Sequence, residues 1–165
     1  MAIVYVNDKP VEIGAEKLNL IQAAQRGGVL IPHYCWHPAL SVVASCRMCL
    51  VEAGERKPDG TVAMQPRVLP ACQTPAKDGT VVRTLTPRAR GAQAQTLEGL
   101  LLNHPLDCPV CDKAGECLLQ DFTFRYGSAH TRMIDVMGKT DSKAISCRDG
   151  KYFNQGKPLV NDKVT

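Results

Sequence analysis

The sequence predicts an α+β protein in three parts: a sheet-and-helix unit over residues 1–85, a small helical unit over 86–130 and an irregular tail over 131–165. Three observations carry this division. Short β-rich runs alternate with turn residues in the first part, composition changes after Thr86, and from His130 onward the chain is polar and rich in Lys, Asp and Gly. "AIVYV" and "VEI", separated by the turn-rich "NDKP", read as a hairpin. "NLIQAAQRGG" follows as a short helix, with Asn19 as N-cap, Gln22 three residues later and Gly27 as the stop. Strand, strand, helix is the opening of a β-grasp. "VLIPHYCWHPALSVVASCRMC" lacks a sustained period, which suits a loop held by its cysteines. "MCLVEA" returns to β character, and "GTVVRTLT", starting at the Asp78-Gly79 turn, supplies a further strand. Thr86 as N-cap and Pro87 at the first helical position open a helix through Leu97, Leu100 and Leu101, with Gly91 and Gly99 as weak points. It should end near Asn103, because Pro105 biases His104 away from the α region. "LLQDFTFRYG" is a second short helix ending at Gly127.

A chain of 165 residues can bury a real core, but aromatics are 5% and there is one Trp, so Val, Leu, Ile and Ala must build it. The eight cysteines are not needed as filler and have to be read for chemistry. They are too few for a disulfide-stapled miniprotein, which exceeds about 8–10% Cys. "MAIVYVNDKP" has no export signal, so a reducing compartment is expected, where close-spaced cysteines bind metal or do redox chemistry. No apolar run approaches the roughly 18 residues of a membrane span; "LEGLLLN" is the densest. The net charge of +4 is scattered, with Arg67, Arg83, Arg88 and Arg90 the nearest to a group, and this argues against nucleic-acid binding. There is no Gly-rich phosphate loop and no G-x-G-x-x-G, so NADH or flavin should not bind to this chain by itself.

Cys35, Cys46, Cys49 and Cys72 are spaced C-x10-C-x2-C-x22-C. Four thiolates, two of them on one tight loop, match a binuclear iron-sulfur cluster with two ligands per iron and loop amides toward the sulfides. The small residues in "ASCRMC" let the backbone approach closely. Structural zinc also takes four cysteines, but usually as two C-x2-C pairs, and here one pair is matched with two isolated cysteines. His104, Cys108, Cys111 and Cys117 give H-x3-C-x2-C-x5-C within fourteen residues. One ligand for each iron of a cubane accounts for the count, and zinc on three cysteines and a histidine fits the same set. Pro105 and Pro109 hold this segment extended, as a wrapped site requires. His33 and His37 flank Cys35 and read as loop residues, and Cys147 as a free thiol.

"PHYCWHPALSVVASCRMCLVE", "LPACQTPAKDGTVV", "LLLNHPLDCPVCDKAGECLLQD" and "FRYGSAHTRM" closely resemble the N-terminal part of the large iron-sulfur subunit family of respiratory complex I, the NADH:quinone oxidoreductase. The match runs from residue 1 to about 135, and related modules occur in NAD-linked hydrogenases and some formate dehydrogenases. The resemblance implies a [2Fe-2S] cluster on Cys35, Cys46, Cys49 and Cys72 in a ferredoxin-like β-grasp domain, and a [4Fe-4S] cluster on His104, Cys108, Cys111 and Cys117 in a small helical domain. It implies an electron-transfer subunit without catalytic side chains, relaying single electrons from the NADH-oxidising flavin subunit toward quinone. The implied location is cytoplasmic, on the inner face of the plasma membrane and attached through the complex. The family continues into a C-x2-C-x2-C run and a large molybdopterin-enzyme-like domain, whereas this chain stops at Thr165 after "KPLVNDKVT", so a fragment is the expectation.

Overall fold

The computed structural model describes residues 2–102, 104 and 107–127; the predicted tail over 131–165, Cys147 included, lies outside them. Two compact units separate, Met1–Gln93 and a second beginning at Ala94.

The first unit is built on a sheet. Strands β1 (Ala2–Val6) and β2 (Lys9–Gly14) form the expected hairpin. Its two turn residues, Asn7 and Asp8, have φ of 49° and 67°, the doubly left-handed turn that matches the twist of paired strands. Asn7 is also pinned from behind: its side chain bonds the Thr84 amide at 2.8 Å and hydroxyl at 2.9 Å. Pro10 sits inside β2 without harm because β2 is the outer strand of the order β2-β1-β6-β3-β4. Strand β3 (Leu50–Arg56) lies near the other end, flanked by β6 (Thr80–Arg83) on one side and by β4 (Val62–Met64) and β5 (Leu69–Pro70) on the other. β1 and β6 run parallel, pairing Tyr5 with Val81 and Val6 with Val82; the other pairs are antiparallel.

Alternation decides which face is dry. Val4 and Val6, Val11 and Ile13, and Val51 and Ala53 all point to one side and are buried. Helix α1 (Leu20–Arg26) covers that side with Leu20, Ile21, Ala23 and Ala24, all fully buried. Each large aliphatic side chain removed from water here contributes about 1.5–3 kcal/mol. The capping box at its start is present as expected: the Asn19 side chain accepts from the Gln22 amide, and the Gln22 side chain accepts from the Asn19 amide. The helix stops at Gly27 for a different reason from the one expected. Gly27 has an ordinary negative φ, and a Cβ there would meet Val11 Cγ2 at 2.6 Å; the left-handed residue is Gly28.

Between Gly28 and Leu50 the backbone forms no helix or strand, as the absence of period predicted. Strands β4 and β5 went unread in the sequence. They hold three and two residues and exist by pairing to β3, a tertiary condition that no local pattern announces.

Helix α2 (Pro87–Leu101) opens where expected, with the Ala89 amide donating to the Thr86 hydroxyl at 3.2 Å. Its buried positions are Ala89, Gln93, Leu97 and Leu101, one line at spacing four. In the second unit, a 3₁₀ turn (Cys108–Val110) leads to helix α3 (Leu118–Tyr126), which ends at Gly127 and buries Phe122. No described helix is long and apolar enough to cross a membrane.

Gly54 in β3 marks the tightest strand contact. A Cβ there would lie 2.4 Å from the Ala63 carbonyl oxygen and 2.7 Å from Met64 Cα, backbone atoms that cannot step aside. Gly54→Ala should therefore destabilise the fold by about 1–3 kcal/mol through overpacking, measured as a lowered denaturant midpoint at unchanged slope.

Candidate metal centres

The first cysteine set is assembled from three segments. Cys35 lies in the irregular loop after α1, Cys46 and Cys49 at its end just before β3, and Cys72 in the turn after β5. Pairing of β3 with β5 joins the last two segments: Leu50 opposes Pro70, and the Ala71 amide donates to the Cys49 carbonyl at 3.0 Å. A second tie comes from α2, whose buried Gln93 donates to the Leu50 carbonyl at 3.3 Å. Cys49 and Cys72 are buried, and Cys35 and Cys46 half-buried.

The thiols of this set influence one another. The Cys46 amide donates to Cys35 Sγ at 3.5 Å. Burial pushes the Cys72 thiol up to about 12, with further contributions from Cys49, Cys35 and Cys46. Cys35 goes the other way. Burial raises its pKa, but donors at Cys46 and Ser45 outweigh that and leave it lowered.

The loop around Cys46 is held in uncommon backbone. Ala44 and Arg47, on either side of it, have φ of 53° and 58°, a region that non-glycine residues visit rarely and at a cost of order 1–3 kcal/mol when strained. Turning successive residues between right- and left-handed conformations lines amides along a concave surface suited to anions. Sulfide is such an anion. Among the described residues no three His, Cys, Asp or Glu side chains converge on a point that could hold one metal ion.

His33 and His37 serve the loop, as expected. His33 Nδ1 contacts the Ile31 carbonyl at 2.7 Å and its ring packs edge-on against Trp36 at 5.2 Å, while His37 Nδ1 accepts from the Ala39 amide at 3.2 Å.

The second set lies on consecutive local turns. The exposed His104 donates its amide to Leu101 at 3.2 Å, just past the end of α2. Cys108 opens the 3₁₀ turn, and the Cys111 amide returns to its carbonyl at 3.2 Å. Cys111 is exposed, and its sulfur accepts from the Lys113 amide at 3.4 Å. Cys117 caps α3 with its carbonyl accepting from Asp121 at 3.0 Å, and the Gln120 side chain reaches back to the Gly115 amide at 3.2 Å. The Lys113 amide turned toward the Cys111 sulfur is a donor of the kind that iron-sulfur clusters use, while no three of these four side chains converge on one point in the structure.

Comparison with known proteins agrees in both units. The profile of the 2Fe-2S iron-sulfur cluster binding domain matches residues 2–87, and that of the NADH-ubiquinone oxidoreductase-G iron-sulfur binding region matches residues 93–132. Both cluster types are thereby supported. The NADH-ubiquinone oxidoreductase 78 kDa subunit of Candida albicans is 43% identical over 144 residues, 86% of this chain and 19% of that protein. A bacterial relative, from the NADH-quinone oxidoreductase of Rhizobium meliloti, is 42% identical over 88% of this chain and 16% of its own length. The iron-sulfur protein 1 of potato NADH dehydrogenase is 41% identical over 81% of this chain and 17% of its own. The chain thus spans less than a fifth of these curated relatives. Among solved structures, a NAD+-reducing [NiFe]-hydrogenase in the H2-reduced state aligns with a TM-score of 0.63 at 28% identity, covering 76% of this chain and 48% of the other.

The raised Cys72 thiol has a consequence in alkali. An unfolded thiol ionises near about 8.5, whereas the folded one keeps its proton to about 12. Its contribution to the metal-free fold is complete below the lower value and is lost as pH rises through the upper one. Unfolding free energy of the metal-free chain should therefore fall with pH above about 8.5, and Cys72→Ala should flatten that slope in denaturant titrations.

Proposed function

Because this chain belongs to the family of 2Fe-2S iron-sulfur cluster binding domains and is homologous to iron-sulfur proteins of NADH-ubiquinone and NADH-quinone oxidoreductases, we propose that it is an electron-transfer module of that complex, with a [2Fe-2S] cluster on Cys35, Cys46, Cys49 and Cys72 and a [4Fe-4S] cluster on His104, Cys108, Cys111 and Cys117. The observation that carries this is that the matched family segments contain both cysteine sets, and that pairing of β3 with β5 ties the Cys46–Cys49 loop to the turn bearing Cys72. The β1-β2-α1 opening and the parallel β1/β6 centre support a ferredoxin-like β-grasp for residues 1–85, with 86–130 as the second cluster domain.

When bound, the clusters supply one-electron chemistry. The chain's own residues do the rest. Leu20, Ile21, Val51 and their neighbours keep water from the inner side of the first site, which lowers the local dielectric and fixes the ligands. Amides near Cys46 and Cys111 give hydrogen-bond donors to sulfur, one of the levers that set potential. Electrons would arrive from the flavin subunit and leave toward quinone, in a complex peripheral to the cytoplasmic side of the membrane. The hydrogenase likeness favours a second reading, the same module serving an NAD-linked hydrogenase, although the complex I relatives are the more similar in sequence.

Anaerobic reconstitution of the full chain with iron and sulfide tests the proposal. About six irons per chain, with one binuclear and one tetranuclear signal in low-temperature EPR of the reduced protein, is the expected result. Zinc without any EPR signal would overturn it and leave a zinc-stabilised interaction domain. A separate check addresses His104. A neutral imidazole in place of a thiolate removes one negative charge, so His104→Cys should keep a tetranuclear cluster and lower its midpoint potential in a redox titration.

A further inference from the structure

We propose that Asn19 is a positioning residue for Cys72: its side-chain amide caps helix α1 with one end and tethers the cluster-ligand turn with the other. The inference rests on the assignment of Cys72 to the [2Fe-2S] cluster. Asn19 Oδ1 accepts from the Gln22 amide at 3.0 Å, and Nδ2 donates to the Cys72 carbonyl at 3.1 Å, across 53 positions of sequence. The contact is one of a set. The Leu20 amide donates to the carbonyls of Ala71 and Thr74 at 3.1 and 3.0 Å, the Ala76 amide donates to Leu18 at 2.8 Å, and Asn19 bridges Pro75 in antiparallel fashion. The turn 70–76 is therefore laid against the start of α1. Backbone bonds hold its flanks, and the Asn19 side chain holds the ligand residue itself.

Fixing the Cys72 carbonyl fixes the peptide plane from which the thiol projects. That thiol is buried, so a small rotation of its backbone would change the sulfur's approach without exposing it to water. The choice of residue type bears on the same point. Asn, Asp and Ser cap helices about equally well. Asp has the acceptor but no hydrogen to give, and Ser places its single hydroxyl one atom short of the amide's reach. Asn supplies both ends at the observed length.

The test compares wild type, N19A, N19S, N19D and C72S in the full reconstituted chain. Three readouts are taken: the g-values of the reduced binuclear EPR signal, the rate of cluster loss to a chelator, and the melting temperature of the metal-free chain. N19A removes cap and tether, and should lower the melting temperature and speed cluster loss. N19S and N19D restore the cap, so the melting temperature should return toward wild type. Cluster loss should stay about fivefold faster than wild type, the worth of one net hydrogen bond, and the g-values should stay shifted. A change shared by N19S and N19D is the lost tether, and one found in N19D alone is only its charge. If N19S and N19D restore g-values and cluster retention together with melting temperature, Asn19 is a helix cap and the proposal fails. If C72S leaves the binuclear signal unchanged, the ligand assignment fails instead, and the two failures are told apart.

Discussion

Four sulfur atoms that repel one another once ionised can be kept together only by a scaffold whose stability comes from elsewhere. In this chain it comes from the sheet and α1. The antiparallel contact of Leu50 with Pro70, continued by the bond from Ala71 to Cys49, brings together two segments more than twenty residues apart. That contact in turn depends on β3, which is fixed on its other side by β6 and from α2 by Gln93. The metal-free site tolerates its own crowding by keeping Cys72 neutral while donors at Cys46 and Ser45 favour the charged form of Cys35. Cations would relieve what the scaffold has to endure.

The second unit works under a different rule. Among its described residues the buried apolar side chains are Leu97, Leu101 and Phe122, a small core for any fold. Its cysteines stand on successive short turns, close in sequence, with Cys111 in water. Local turns of this kind orient ligands roughly, and metal binding then contributes directly to folding. The first site is prepared by tertiary structure, the second by sequence proximity.

This difference also explains how far the residues could be read unaided. The hairpin, the capping box at Asn19, the start of α2 at Thr86 and the end of α3 at Gly127 follow from local chemistry, and each stands where reading placed it. The two proposed ligand sets stand out as spacings, and the family profiles match the segments that contain them. The approach of the Cys72 turn to Cys49 was not legible, because it depends on a contact between β3 and a two-residue strand. Asn19 was read for its helix cap, and its reach to Cys72 had no local signature at all. The left-handed Ala44 and Arg47 were hidden for the reverse reason, since neither residue type favours that conformation.

The placement of Pro10 bears on how the chain behaves in company. It lies in the outermost strand, between Lys9 and, after Val11, Glu12, where an open row of backbone groups would invite a second sheet to pair. A missing amide hydrogen and exposed charges spoil that row. The opposite margin is β4, three residues long and too short to serve as a template. Neither margin of the sheet therefore offers a long, open template for strand addition.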